Sequence, residues 1–320
     1  MINNSSKMRL QNLKKLPGGL WPVMLTPFQE NNEIDITSLQ ELVEFYIQSG
    51  SHGLFANCLS SEMFQLTDEE RLLVVRTVVK VADGKVPVVA SGTFSHDIPT
   101  CADFIKKIYD EGSVAVIVIT NQMATLDEDD TVFKKRTEQL LNLTGNIPLG
   151  MYECPAPYKR LLSPEMMHWL AGTNRFFYHK DTSCDPDAIQ KKVKSVKGSS
   201  YAFFNANTTT ALYSLKEGGD GISPIGANFY PELYAYLYNE YSTKGDSVEL
   251  VKLNAQLDLM DAIADQSYPL SAKYFLRERG LSLNAICRIP YKAMNMEGKM
   301  KLKALMKMFE QLKEVYTFKA

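Results

Sequence analysis

The sequence predicts a (β/α)8 barrel of the TIM type, an α/β fold, carrying a C-terminal helical domain. Three observations predict it. Eight short apolar, β-rich runs recur along the first two-thirds of the chain, separated by stretches of helical period. Spacings of roughly 20–35 residues between them imply parallel strands joined by right-handed crossovers. The 320 residues exceed the roughly 250 that such a barrel takes, leaving chain for an appendage.

Residues 1–17 are polar and unpatterned and are expected to form a loose tail. The first strand is expected in GLWPVML (19–25) and the second in GLFANC (53–58). The following runs are VPVVASG (86–92), VAVIVIT (114–120), IPLGMYE (147–153), RFFYHKD (175–181), YAFFN (201–205) and GISPIG (221–226). Between the first two, LQELVEFYI (39–47) places Leu39, Leu42, Val43, Tyr46 and Ile47 on one helical face. Thr37-x-x-Gln40 and Thr67-x-x-Glu70 read as capping boxes, in which two side chains satisfy each other's free amides. Ser163-Pro164 and Asp185-Pro186 read as caps followed by proline at the first helical position. A doubly wound open sheet is the alternative, but no GxGxxG loop follows the first strand. From about residue 229 the strand rhythm stops and four helical patterns follow. The expected division is therefore a tail (1–17), a barrel (18–228) and a helical domain (229–320).

Composition narrows the function without naming it. Thirty-five basic against 37 acidic residues leave a net charge of −2, no electrostatic reason for a nucleic-acid or anionic membrane partner. No apolar run reaches the roughly 20 residues of a membrane span, and the first residues lack the apolar core of a secretory signal. Five scattered cysteines without CxxC spacing read as reduced thiols, so a cytoplasmic protein is expected. The four histidines form no ligand pair, and neither a metal nor an organic cofactor is expected.

In a barrel the chemistry sits at the C-terminal strand ends and the loops that follow. Lys180 ends the sixth run. Facing the lumen, it would be desolvated, and the neutral amine so favoured is what imine chemistry with a carbonyl needs. Facing outward, it would simply pair with a carboxylate. Tyr152 ends the fifth run, where a phenol can move protons or serve as a buried structural ring. Ser60 and Ser61 follow the second run and can hold a carboxylate or satisfy their own turn. Glu62 is expected to be buried against loop amides. Asn205 and Asn207 after the seventh run and Ser223 after the eighth complete the candidates. Cys58 and Cys154 lack a histidine base in the pattern and read as small core residues.

Together these features resemble the dihydrodipicolinate synthase / N-acetylneuraminate lyase family of Schiff-base aldolases. The resemblance spans roughly residues 18–300. It rests on GLWPVMLTPF at the start, CLSSE-x-x-x-LT-x-x-ER at 58–71, VPVVASGTF at 86–94, YECPAP at 152–157, Lys180, and GGDGISPIGAN at 218–228. It implies that Lys180 forms an imine with pyruvate or another 2-keto acid and that Tyr152, beside the Ser60 hydroxyl, relays protons. It further implies that Leu59 and Ser60 offer backbone amides to the keto-acid carboxylate, and that Gly221–Ser223 close over it. An aldehyde is the implied second substrate, and a homotetramer or homodimer the implied assembly. Three departures bear on specificity. Met123 stands where the biosynthetic synthase has a second relay tyrosine. Pro157 stands where it has a carboxylate-binding arginine, with Lys159 and Arg160 nearby. Leu59 and Ser61 replace a hydroxyl residue and a glycine. After strand seven, Asn205-Ala206-Asn207 is polar but neutral where sialic acid lyases are acidic. The expected reaction is thus cleavage or formation of a C–C bond with a hydroxylated partner, in the manner of N-acetylneuraminate lyase or a sugar-acid aldolase. The synthase itself, a sugar-acid dehydratase and a non-catalytic keto-acid binder are the alternatives.

Overall fold

A computed structural model describes residues 15–289 and 294–316. Eight parallel strands follow one another around a ring. They are β1 (Gly19–Leu20), β2 (Leu54–Ala56), β3 (Val88–Ser91), β4 (Ala115–Ile119), β5 (Leu149–Tyr152), β6 (Phe176–Asp181), β7 (Ala202–Asn205) and β8 (Gly221–Ile222). β1 pairs with β8, and a parallel bridge between Val23 and Phe55 joins the first segment to β2. The first strand is shorter than the apolar run that predicts it, because Pro22 has no N–H for the ladder and splits the pairing in two.

Eight helices flank the sheet: α1 (Ile36–Gln48), α2 (Asp68–Ala82), α3 (Ile98–Asp110), the four-residue α4 (Thr120–Met123), α5 (Asp130–Leu143), α6 (Pro164–Gly172), α7 (Pro186–Val196) and α8 (Ala211–Lys216). Four more follow: α9 (Pro231–Lys244), α10 (Val248–Ala264), α11 (Leu270–Glu278) and α12 (Met296–Val315). The caps at Thr67, Ser163 and Asp185 form as the sequence predicts, each side chain accepting from a backbone amide three residues on. The box at Thr37 does not. Asp35 caps α1 instead, its carboxylate accepting from Ser38 N and the Ser38 hydroxyl, so the helix starts earlier.

α9 packs against β1 and β8, where the barrel's eighth outer helix belongs. The strand rhythm ends at residue 228. The packing instead gives α9 to the ring and leaves α10, α11 and α12 as the appended helices. Residues 1–14 of the expected tail lie outside the described residues. Its last three are not loose: Leu16 is buried, the Pro17 carbonyl accepts from the Trp21 indole, and Lys15 pairs with Asp220 at 2.6 Å.

Alternation along the strands builds two cores. Outward residues such as Leu54, Val116, Met151 and Phe203 pack under the helices. Inward residues fill the lumen: Trp21, Phe55, Val89, Ile117, Tyr178 and Phe204. Tyr178 stacks on Phe204 at 4.5 Å, and Trp21 leans on both at 5.2 and 5.3 Å. These rings make a dry floor beneath the strand ends. Gly150 is required in this layer. A Cβ there would lie 2.6 Å from the Tyr178 carbonyl oxygen and 2.5 Å from Ile117.

Candidate active site

One rung of the sheet sets the site. Ile119 is level with Tyr152, Tyr152 with Lys180, Lys180 with Phe204, and Phe204 with Gly221. Because inward residues alternate, Tyr178 in the floor puts Lys180, two residues on, into the lumen above it. Its ammonium nitrogen lies 4.6 Å from the centre of the Tyr152 ring. Phe55 meets that ring edge-on at 5.6 Å. Lys180 is buried, and burial pulls its pKa down from 10.5 to about 8. The Tyr152 phenol is pushed well above its ordinary value by burial and by the thiols of Cys154 and Cys58. The lumen thus holds an easily deprotonated amine beside a phenol that keeps its proton. Cys154 is buried with its thiol pKa raised by that burial, consistent with a core residue rather than a nucleophile.

The loop after β2 forms a 3-10 turn at Leu59–Ser61 on the same face of the barrel. The first amides of such a turn have no carbonyl within it to donate to. Ser60 is buried. The Ser61 hydroxyl is engaged within the protein. Its Oγ donates to the Met24 carbonyl at 2.6 Å and accepts from Cys58 N at 3.1 Å, tying β1 to the loop.

Asn205 is engaged in the same way. It is the outward residue of the last β7 pair, and its amide is consumed locally, donating to Thr210 O and Oγ1 and accepting from Asn207 N at 2.6 Å. Asn207 is half-buried in that turn, its Oδ1 accepting from Thr210 N and Oγ1. Ser223 is fully buried. Its hydroxyl donates to the Trp21 carbonyl at 2.6 Å and accepts from the Tyr178 phenol at 3.3 Å. Met123 is fully buried in the layer beneath the helices. The two terminal nitrogens of Arg160 donate to the Thr125 and Glu128 carbonyls and to Asp130, whereas exposed Lys159 donates to the Thr182 carbonyl at 2.8 Å.

Behind the site lies a buried charge cluster that the motifs did not disclose. Glu153 and Asp181, each next in sequence to a lumen residue, face outward and share the Lys192 ammonium at 2.6 and 2.7 Å. Burial alone would lower the Lys192 pKa, but the two carboxylates together raise it, so it stays charged. A sequence signal existed: Ile189, Lys192, Val193 and Val196 share one helical face, which made Lys192 the charged member of an apolar stripe. Glu153, His179 and Asp181 are also, among the described residues, the one grouping with three metal-type donors. The ammonium between its carboxylates already supplies the cation, and burial holds the His179 imidazole down to about 3, neutral.

A second buried pair anchors the catalytic face. Glu62, in the left-handed region at φ 56°, accepts from Lys273 Nζ at 2.7 Å and from the Arg288 and Ile289 amides. The expected buried glutamate is present, but its amides come from the C-terminal segment and not from its own loop.

A sequence profile described as the Dihydrodipicolinate synthetase family matches residues 16–309. The chain belongs to that family, whose members are aldolases and lyases. It is 24% identical over 282 residues to the 4-hydroxy-tetrahydrodipicolinate synthase of Methanosphaerula palustris, spanning 87% of this chain and 94% of that one. It is 27% identical over 277 residues to the synthase of Coxiella burnetii, spanning 83% and 89%. The fold matches the chloride-inhibited dihydrodipicolinate synthase of Acinetobacter baumannii complexed with pyruvate, at TM-score 0.83, 22% identity and 92% and 99% coverage. It equally matches a prophage protein of the dihydrodipicolinic acid synthase family from E. coli K12 in complex with pyruvate, at TM-score 0.83 and 20% identity, with 92% and 98% coverage. No helix among the described residues is long and apolar enough to cross a membrane.

Proposed function

We propose that this chain is a Schiff-base aldolase acting on pyruvate or a related 2-keto acid, with Lys180 as the nucleophile. The observation that carries the reading is the Lys180 amine: buried in the lumen, drawn down to about 8, and level with the Tyr152 phenol. The neutral amine adds to the ketone carbon, and loss of one water leaves a protonated imine. Removal of a proton from the adjacent carbon gives the enamine, with the imine nitrogen taking the electron pair. The enamine carbon then attacks an aldehyde, whose oxygen takes a proton. Water returns in the hydrolysis that frees Lys180. Tyr152, with Ser60 beside it, moves these protons. The Leu59 and Ser60 amides are the proposed carboxylate donors. The iminium is the electron sink, so this route calls for no metal or organic cofactor.

For the second substrate we propose a hydroxylated aldehyde or sugar acid. Met123 can relay no proton, and the Arg160 side chain is already committed. The relatives' names favour a second reading, condensation of pyruvate with aspartate semialdehyde. Pyruvate release from a panel of 4-hydroxy-2-keto acids, coupled to lactate dehydrogenase, separates the two. Release from a sugar-derived member supports the first reading. Turnover of aspartate semialdehyde with none of the panel would replace it by the second.

A further inference from the structure

The turn after β2 is held at both ends, and one of the holds comes from the far end of the chain. Ser61 N and Glu62 N close the turn on the Cys58 and Leu59 carbonyls, both at 3.0 Å. The Leu59 and Ser60 amides donate to no group among the described residues. The barrel holds the front of the turn. Ser61 Oγ bridges Met24 O and Cys58 N, and the Thr26 hydroxyl donates to the Ser61 carbonyl at 2.9 Å.

Glu62 holds the back. It is fully buried and left-handed (φ 56°, ψ 38°), a backbone state that a residue with a side chain keeps only where its surroundings fix it. The donors to its carboxylate come from the C-terminal segment. Lys273 Nζ meets one oxygen at 2.7 Å, and Arg288 N and Ile289 N meet the other at 2.7 and 3.2 Å. Lys273 also donates to the Ile286 carbonyl at 2.6 Å, so it ties residues 286–289 as well as the glutamate. That stretch is anchored from outside too. The Arg288 guanidinium pairs with both Glu70 oxygens, donates to the Asn32 and Gln65 carbonyls and covers the Phe28 ring at 4.6 Å.

We propose that Glu62 is a positioning residue for the keto-acid carboxylate, transmitting the hold of the C-terminal segment to the Leu59 and Ser60 amides. This deepens the keto-acid reading above and rests on it. The link is the Glu62 amide, which closes the turn on Leu59 O. Glu62 touches no reacting atom. Desolvation offsets much of the attraction in a buried ion pair, so the Glu62–Lys273 pair acts through the geometry it fixes. Imine formation needs the Lys180 amine and a ketone. Preference for a ketone that carries a carboxylate needs the two amides in place. A segment more than 200 residues from the turn in sequence thereby sets selectivity for 2-keto acids over simple ketones.

The test compares pyruvate with acetone, a ketone without a carboxylate, in full-length protein. Borohydride traps either imine on Lys180, and the initial rate of mass gain at limiting ketone gives a selectivity ratio. Glu62→Ala combined with Lys273→Met removes the tether without stranding a buried charge. It should slow pyruvate trapping at least about 10-fold, the share of one hydrogen bond to a charged group, and leave acetone trapping within about twofold of wild type. Equal falls for both ketones would mark Glu62 as merely structural, and an unchanged ratio would remove it from the carboxylate site; either overturns the proposal. A wild type that traps pyruvate no faster than acetone overturns it as well. A wild type that traps neither would instead overturn the keto-acid reading itself. Should the double variant fail to fold, Arg288→Ala loosens the segment from outside, because that side chain bonds Glu70, Asn32 and Gln65 and not Glu62. The ratio should then fall at least about threefold, and an unchanged ratio overturns the proposal.

Discussion

A lysine kept ready for imine chemistry is a burden on the fold, and the burden can be measured. Burial draws the Lys180 pKa from 10.5 to about 8. At about 1.36 kcal/mol per pKa unit, that is roughly 3 kcal/mol by which the folded state disfavours the charged amine. The sign follows from proton counts. Between about pH 8 and 10.5 the unfolded chain binds a proton that the folded chain does not, so stability rises with pH through that window. Below about 8 both states are protonated and the full cost is present. Lys180→Met keeps the length of the side chain and removes the charge. It should therefore stabilise the protein by about 3 kcal/mol at pH 7, or roughly 6 °C at about 2 °C per kcal/mol for a chain of this size. The difference from wild type should shrink toward zero as pH approaches 10.5. Urea unfolding of both proteins at pH 7, 8.5 and 9.5, read as the difference between them, cancels the other titrating groups. A variant no more stable than wild type at pH 7, or a difference that does not change with pH, would refute the reasoning.

Two further substitutions test the charge network around the site. Lys192→Met leaves Glu153 and Asp181 buried without their cation and should cost about 3–5 kcal/mol, seen as a thermal shift of roughly 6–10 °C; adding Glu153→Gln and Asp181→Asn should recover part of it. Lys273→Met strands Glu62 in the same way and should cost a similar amount. It should also weaken pyruvate retention by loosening the loop that carries Leu59 and Ser60, measured as a higher pyruvate concentration for half-maximal trapping.

The barrel was legible because each strand end carries its own signal. Thr67-x-x-Glu70, Ser163-Pro164 and Asp185-Pro186 place helix starts by local hydrogen bonding that no distant contact overrides. Lys180 and Tyr152 were legible for a related reason: strand alternation and parallel register fix which way a side chain faces. Hydroxyl and amide residues were not. Ser61 and Asn205 have the chemistry of ligand binders, but Met24, 37 residues away, claims the Ser61 hydroxyl, and Thr210, five residues on, claims the Asn205 amide within a turn whose geometry the residue pattern does not reveal. Lys273 was invisible for the same reason, since its pairing with Glu62 exists only after the C-terminal helices dock on the barrel. The packing of α9 on β1 and β8 was not legible, because a helix pattern says nothing of which face it packs against.

The most direct measurement of the central claim is the mass of the Lys180 peptide after pyruvate and borohydride. Reduction of the imine fixes the three pyruvate carbons on the lysine nitrogen. The account predicts that added mass on the peptide containing Lys180 and on no other, and none in Lys180→Met. An unmodified Lys180 peptide under conditions where pyruvate binds, or mass added at another lysine, would contradict it.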